Sequence, residues 1–282
     1  MDQTLPHPGA SVDEQDSEKR ILSQRTHVWG LKLVSRLVTA RWRRRSGRTG
    51  PARSPHEAQR PHFYFPGLTA QPWWDPAEHP WIAELEAAAP KLRAELEALL
   101  ADGFLSPRPI ETIAPEERDL DERLIRSGAW HLYRLFYNGI VLEENCRRCP
   151  EATRVFRRIP GFTGTVGFAV LAPGTHVTPH CGASNAKLRC HLGLSVPADC
   201  GIRVGGEART WVEDRCILFD DSFEHEVWNR GERPRYVFLI DIHHPELTGG
   251  EVAWLEKVSR FVLRLAPRRL RTPLKAEPRN AR

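Results

Sequence analysis

Two histidines and a set of cations carry the chemistry this chain is equipped for. His180 closes the segment Pro173-Gly174-Thr175-His176-Val177-Thr178-Pro179-His180, and His225 lies in Phe219-Asp220-Asp221-Ser222-Phe223-Glu224-His225-Glu226-Val227-Trp228-Asn229. Imidazole suits Fe, Zn, Cu and Ni, and a mononuclear iron centre typically takes two His and one carboxylate on one face of the metal. The carboxylate normally sits two residues after the first His, where this chain has Gly182. Spacing alone therefore leaves two readings open, a metal-binding pair or two histidines that serve structure. Arg235 follows the second His, and Arg189 and His191 lie between the two. A guanidinium presents a planar fork that can bind a carboxylate through two hydrogen bonds, but residue type and spacing leave these side chains equally readable as solvated or strand-end charges.

The elements that must position these residues read as short strands. Leu188, Cys190, Leu192, Leu194 and Val196 alternate with Arg189, His191, Gly193 and Ser195, which predicts a strand with one apolar and one polar face. Lys187, Arg189 and His191 share the polar face, which fits either a ligand-lined interior or a solvated surface. Arg235, Val237, Leu239 and Asp241 share a face of the most apolar strand, Tyr236–Ile242, where Arg235 could equally be a charged strand terminus. Further strand patterns are 163–172, 201–205, 208–212, 215–219 and 224–228. This density of short strands between Gly and Pro turns predicts a mainly β fold, a sandwich or small barrel. Helices are expected outside it. Asp75-Pro76 looks like a helix start, Ile82 to Leu99 gives a stripe that Pro90 should break or kink, and Glu251–Leu265 places Val252, Leu255, Val258 and Val262 on one face. Residues 104–160 look mixed. Ser184-Asn185-Ala186-Lys187 matches the S-x-x-K of serine acyl-transfer enzymes, but neither companion motif accompanies it.

Composition sets the boundaries. The chain has 282 residues and a formal net charge of +5, and its basic clusters, Arg41-Trp42-Arg43-Arg44-Arg45 and Arg268-Arg269-Leu270-Arg271, lie towards the two ends. Residues 1–60 are poor in apolar side chains and predict a disordered, basic N-terminal region. A single domain is expected over 61–265, with a helical N-terminal part (61–160), a β core (161–247) and a C-terminal helix (251–265), followed by a basic tail at 266–282. The apolar run Val28–Ala40 is too short to span a bilayer and carries Lys32 and Arg36. Segment 28–45 would suit an amphipathic helix in weak contact with an anionic membrane surface, while a nucleic-acid partner is not expected. Met1–Arg20 lacks a signal-peptide pattern, and among six cysteines only Cys146 and Cys149 form a CxxC, a weak zinc signal. A cytoplasmic location, peripheral to the membrane at most, is the expectation.

At this point several segments fall into a familiar order. PGTHVTPHCGASNAKLRCHLGLSVP, IRVGGEARTW, ILFDDSFEHEVWN and the HPEL of His244–Leu247 together resemble the aspartyl/asparaginyl β-hydroxylase family of Fe(II)- and 2-oxoglutarate-dependent dioxygenases. The likeness runs over residues 62–250 and is strongest from 160 onward. It implies a double-stranded β-helix, the jelly-roll or cupin-like barrel, with helices packed outside. In that family glycine replaces the third ligand, so Gly182 becomes support for the resemblance. It further implies that His180 and His225 hold Fe(II), that Arg189 and His191 lie near the chelating carboxylate of 2-oxoglutarate, and that Arg235 binds the distal one. Asp221 would orient a water on the metal from outside the ligand set, or else serve as a turn-forming Asp. Lys187 is the candidate for contact with an acidic substrate, with a solvated lysine as the alternative.

The activity implied is hydroxylation of an Asp- or Asn-type side chain of a peptide or amino acid, consuming O2 and 2-oxoglutarate and releasing succinate and CO2. One feature departs from the family: its hydroxyl donor to the distal carboxylate falls here on Ala169. Animal members carry a helical-repeat domain and a membrane anchor that this sequence does not show. Lipid A 2-hydroxylases resemble the same motifs, so a fatty-acyl substrate is the alternative within the enzyme class. A non-catalytic barrel that binds an acidic ligand is the alternative outside it. Sequence does not give the oligomeric state.

Overall fold

The computed structural model describes residues 53–105, 109–112 and 122–265. The basic segment 28–45, the tail 266–282 and most of the region expected to be disordered lie outside these. In chain order come β1 (Trp73–Trp74), α1 (Trp81–Ala87), α2 (Ala89–Ala101), β2 (Ile125–Ser127), β3 (Trp130–Tyr137) and β4 (Ile140–Val141). Two helices follow, α3 (Glu143–Arg148) and α4 (Pro150–Arg158), then β5 (Phe162–Leu171), β6 (Thr175–His180), β7 (Lys187–Ser195), β8 (Cys200–Val204) and β9 (Glu207–Arg209). The chain ends with β10 (Cys216–Phe219), β11 (His225–Asn229), β12 (Arg235–His243) and α5 (Gly249–Leu265).

The strands form two antiparallel sheets. A seven-stranded sheet runs β1-β10-β7-β12-β5-β3-β4, and a five-stranded one runs β2-β6-β11-β8-β9. Apart from the β8–β9 hairpin, which stays in the small sheet, strands β5 to β12 alternate between the two sheets as in a double-stranded β-helix; the fold is mainly β and cupin-like. The central strands β5, β7 and β12 are buried on both faces, because each face meets a different apolar layer. On one side Leu188, Cys190, Leu192 and Leu194 of β7 join Leu85, Leu92, Leu96 and Leu99 of α1 and α2 in one cluster. On the other side Ala169, Leu171, Val237 and Leu239 meet Ile202, Val204 and Val227 of the small sheet. The period of two in β7 therefore separates a helix-facing side from a barrel-facing side, and Arg189 and His191 belong to the latter.

Local chemistry explains the helix borders. The Asp75 carboxylate accepts from Ala77 N at 2.9 Å and starts a single 3-10 turn, and Pro90 opens α2 after a break at Ala88. An internal proline lacks the N–H that α1 would need to continue, so two helices result. Glu95 of α2 accepts from the backbone N–H of Glu151 and Ala152, at 2.6 and 3.0 Å, and so fastens the first turn of α4.

Three expectations change. The segment 61–160 is not purely helical, since β3 is an inner strand of the large sheet between β5 and β4. The strand β6, which carries His180, has no counterpart among the predicted strands, because Pro179 interrupts its pattern. The boundary at 60/61 falls too late: Gln59 is buried and pairs with Phe223. Among the described residues no helix is long and apolar enough to cross a membrane.

Candidate metal centre

His180 ends β6 and His225 opens β11, and the two residues are direct cross-strand partners. Antiparallel neighbours opposite one another project from the same face, so two residues far apart in sequence bring their rings to 4.1 Å between centroids. Each ring is fixed by its own backbone. Nδ1 of His180 donates to Thr178 O at 2.8 Å, and Nδ1 of His225 donates to Phe223 O at 2.9 Å. A carbonyl only accepts, so Nδ1 carries the proton in both rings and Nε2 keeps its lone pair. That is the tautomer a metal-binding imidazole needs. Burial, with His180 alongside, pushes His225 down to about 3 and keeps it neutral.

Around this pair the charges fall into two groups. In the first, Arg189 lies opposite Asp241 across β7 and β12 and grips it with two hydrogen bonds, Nε to Oδ1 at 2.7 Å and Nη2 to Oδ2 at 3.0 Å. Lys187 donates to Asp221 Oδ2 at 2.6 Å and to Asp241 Oδ2 at 3.3 Å. Arg189 also comes within 3.4 Å of Asp221. Burial alone would raise the Asp221 carboxyl, but Lys187, Arg189 and His225 outweigh it and hold the group ionised below the usual carboxylate range. Its second oxygen, Oδ1, is buried with no hydrogen-bond donor. Two acids and two bases thus balance at the mouth of the site. Gly164, at φ +51°, lets β5 pass this knot: a β-carbon there would come within 2.9 Å of the Asp241 Cβ.

The second group is unbalanced. Arg235 is 2% exposed, with its guanidinium 4.6 Å above the Trp211 ring, and its Nε and Nη1 have no acceptor. Among the described residues no carboxylate lies within ion-pair distance of it. Burial lowers it to about 10, far above neutrality, so the charge stays. His191 is also buried, between Trp211 and Phe219, and neither ring nitrogen has a partner. Burial, then Arg235 and Arg189, push its imidazole well below the usual range, so it is neutral. Leaving such polar atoms without partners in an apolar enclosure costs free energy unless a ligand satisfies them.

The seven residues singled out from sequence share the barrel-facing side: Lys187, Arg189, Asp221, His180 and His225 gather at the mouth, Arg235 lies towards the other end of β12, and His191 stands between them. Ala169 faces the same interior, opposite Val237. Sequence reasoning gave no role to Asp241 or Trp211. A carboxylate inside the most apolar strand was the available signal for Asp241. Trp211, which stacks on His191, closes the segment IRVGGEARTW that carries part of the family likeness, a signal that gave it a place but no role. Cys146 and Cys149 are free, buried thiols in the helix-side core. Among the described residues no cluster of three or more His, Cys, Asp or Glu side chains is arranged to hold a metal. The residues present fit an ion that takes two protein ligands and completes its coordination with a small acidic molecule and water.

A family model described as Aspartyl/Asparaginyl beta-hydroxylase matches residues 86–245. The aspartyl/asparaginyl beta-hydroxylase of Homo sapiens is 36% identical over 200 residues, covering 67% of this chain and 25% of that protein. The aspartate beta-hydroxylase domain-containing protein 1 of Homo sapiens is 36% identical over 218 residues, covering 73% of this chain and 53% of that protein. The chain therefore matches only a quarter to a half of these curated relatives. Among solved structures, a cupin 2 conserved barrel domain protein from Salinispora arenicola aligns with a TM-score of 0.29 and 14% identity, over 52% of this chain and 99% of that one.

Proposed function

The chain belongs to the aspartyl/asparaginyl β-hydroxylase family, and from that premise we propose that it is an Fe(II)- and 2-oxoglutarate-dependent dioxygenase. It hydroxylates an Asp- or Asn-type side chain of a peptide or amino acid and releases succinate and CO2. The observation that carries this reading is Arg235, a charged guanidinium with no acid opposite it among the described residues, in a buried, aromatic-lined interior. A buried charge of this kind is tolerated where it receives an opposite charge, and a dicarboxylate supplies one.

Under this reading His180 and His225 hold the metal through their Nε2 atoms, which the Thr178 and Phe223 carbonyls keep unprotonated. Fe(II), when bound, couples oxygen reduction to decarboxylation of the cosubstrate and to C–H oxidation. Arg235 binds the distal carboxylate of 2-oxoglutarate. His191, neutral and without an internal partner, donates to its chelating end, while Arg189 is shared with Asp241. Asp221 Oδ1, buried without a donor, would accept a hydrogen bond from a water held beside the metal. Trp211, Phe219, Val237 and Leu239 wall the interior and exclude bulk water. Lys187, partly exposed, meets the substrate's acidic group at the mouth, and the choice of an Asp or Asn side chain is carried over from the family likeness.

The test is 2-oxoglutarate turnover by the full-length chain with Fe(II) and ascorbate in air. Succinate is expected from the wild type and none from His225→Ala. Absence of succinate from wild type that still binds 2-oxoglutarate would favour a non-catalytic barrel.

A further inference from the structure

The two loops that carry the histidines are tied together by a segment upstream of the family match. Residues 56–65 cross that end of the barrel. Ala58 O accepts from Glu224 N at 2.6 Å, and Gln59 bridges Phe223 in antiparallel register. Further along, Phe63 N donates to Ala183 O at 2.9 Å, and the Phe65 backbone exchanges two hydrogen bonds with the Asn185 side chain, at 2.6 and 2.8 Å. One strap thus holds both the turn after His180 and the turn before His225. The buried latch is Gln59, 3% exposed, whose Nε2 donates to Asp220 Oδ2 and to Ser222 Oγ, both at 2.9 Å. Those two acceptors flank Asp221.

The sheet itself leaves this turn to other forces. β10 stops at Phe219 and β11 starts at His225, and the register between β11 and β6 slips immediately after the His225–His180 pair. Bonds outside the ladder fix it instead: backbone ones from Gly182 N to Asp221 O at 2.6 Å and from Asp220 N to Pro72 O at 3.0 Å, and the buried side-chain pair that Gln59 makes. We propose that Gln59 is a positioning residue for the metal centre: it locks the Asp220–Ser222 turn, and through it sets Asp221 and His225 against His180. This rests on the reading of the histidine pair as a metal site. A leucine at 59 would leave the Asp220 and Ser222 oxygens buried without their donor, and the turn would reopen to find water. Residues that orient metal ligands from outside the coordination shell typically change metal affinity by roughly 10–100-fold when removed.

The test is Mn(II) titration of the full-length chain, read by electron paramagnetic resonance of the free ion, alongside the visible d–d bands of the Co(II)-loaded protein. Gln59→Leu is expected to weaken Mn(II) binding by about tenfold and to shift the Co(II) bands. Arg60→Ala, which removes the ion pair with Glu224 and an exposed hydrogen bond to Glu57 O, should change neither. Gln59→Leu protein that melts lower yet keeps wild-type Mn(II) affinity and Co(II) bands overturns the positioning role and leaves the histidine pair standing. Wild-type binding in His225→Ala, or no Mn(II) binding by the wild type, overturns the metal reading itself. If Gln59→Leu does not fold, Ser222→Ala, which removes one of the two acceptors, must weaken Mn(II) binding by a smaller factor. Unchanged affinity there overturns the proposal.

Discussion

A β-carbon added at Gly182 would lie 2.6 Å from the carboxyl carbon of Asp221 and 2.8 Å from its backbone oxygen. The position that carries the third ligand in three-residue iron centres therefore has no room for a side chain. Gly182 N also donates to Asp221 O at 2.6 Å, locking the two loops together. A carboxylate does reach this corner, but it comes from the other loop and is bound to Lys187 and Arg189.

The first prediction follows from that packing. Gly182→Asp should not create a tighter three-ligand site. It should collide with Asp221, displace it from its cations and weaken Mn(II) binding by about tenfold or more, since overpacking forces neighbours out of place. Gly182→Asp combined with Asp221→Gly should recover part of the binding relative to the single variant, because it removes the collision with the carboxyl group and leaves only the approach to the backbone oxygen at 2.8 Å. Calorimetric Mn(II) titration of both proteins decides it, and tighter binding by the single variant contradicts the steric account.

Arg235 gives a trade of stability against ligand binding. Replacing a buried, unneutralised charge with an apolar side chain of similar length is often stabilising, by roughly 1–4 kcal/mol. Arg235→Met should therefore raise the melting temperature of the ligand-free protein. It should also erase the further rise that 2-oxoglutarate with Mn(II) gives the wild type, because a ligand stabilises only the state that binds it. Scanning calorimetry with and without 2-oxoglutarate reads both effects. A lower melting point without ligand would mean that the contact with Trp211 outweighs the cost of the charge.

Ala169 leads to a gain-of-affinity variant. It faces the barrel interior opposite Val237, the residue two positions beyond Arg235 on β12. A serine there adds one hydroxyl to the interior in which 2-oxoglutarate is proposed to bind. A hydrogen bond to a charged group contributes roughly 1.5–3 kcal/mol before losses in ordering, so Ala169→Ser should tighten 2-oxoglutarate binding by up to about tenfold. Mn(II) affinity without 2-oxoglutarate should stay the same. Weaker 2-oxoglutarate binding would place the distal carboxylate away from β5.

How much of this was legible in the sequence depends on what sets each feature. Alternation alone separated Leu188, Cys190, Leu192 and Leu194 from Arg189 and His191, because a strand sends neighbours to opposite faces. It could not say which face was inside, since both are buried here by different layers. Pro90 marked the break between α1 and α2 for a purely local reason. His180 and His225 were identifiable, yet their cross-strand pairing depends on β6, whose pattern Pro179 obscures. Gln59 and Asp241 act through partners far away in sequence, and no local spacing encodes such a contact.

Asp220 supplies a prediction in pH. Burial pushes its carboxyl up to about 7, against the Ser222 hydrogen bonds that favour the ionised form. An unfolded aspartate titrates near 3.8. Between those values the folded chain holds more protons at this site than the unfolded chain, so stability falls as pH rises through the window and levels off above it. Asp220→Asn has no proton to lose. Its oxygen still accepts from Ser222 N, and its amide N–H can meet Gln59 turned end for end, presenting Oε1, which has no partner in the wild type. The melting temperature of Asp220→Asn minus that of wild type should therefore climb between about pH 4 and pH 7. His191 and His225 are depressed and act in the opposite sense, losing stability as pH falls below 6.5. Both proteins share them, so their effect cancels in the difference. A difference that stays flat across the range would mean that Asp220 is already ionised in the folded protein at low pH.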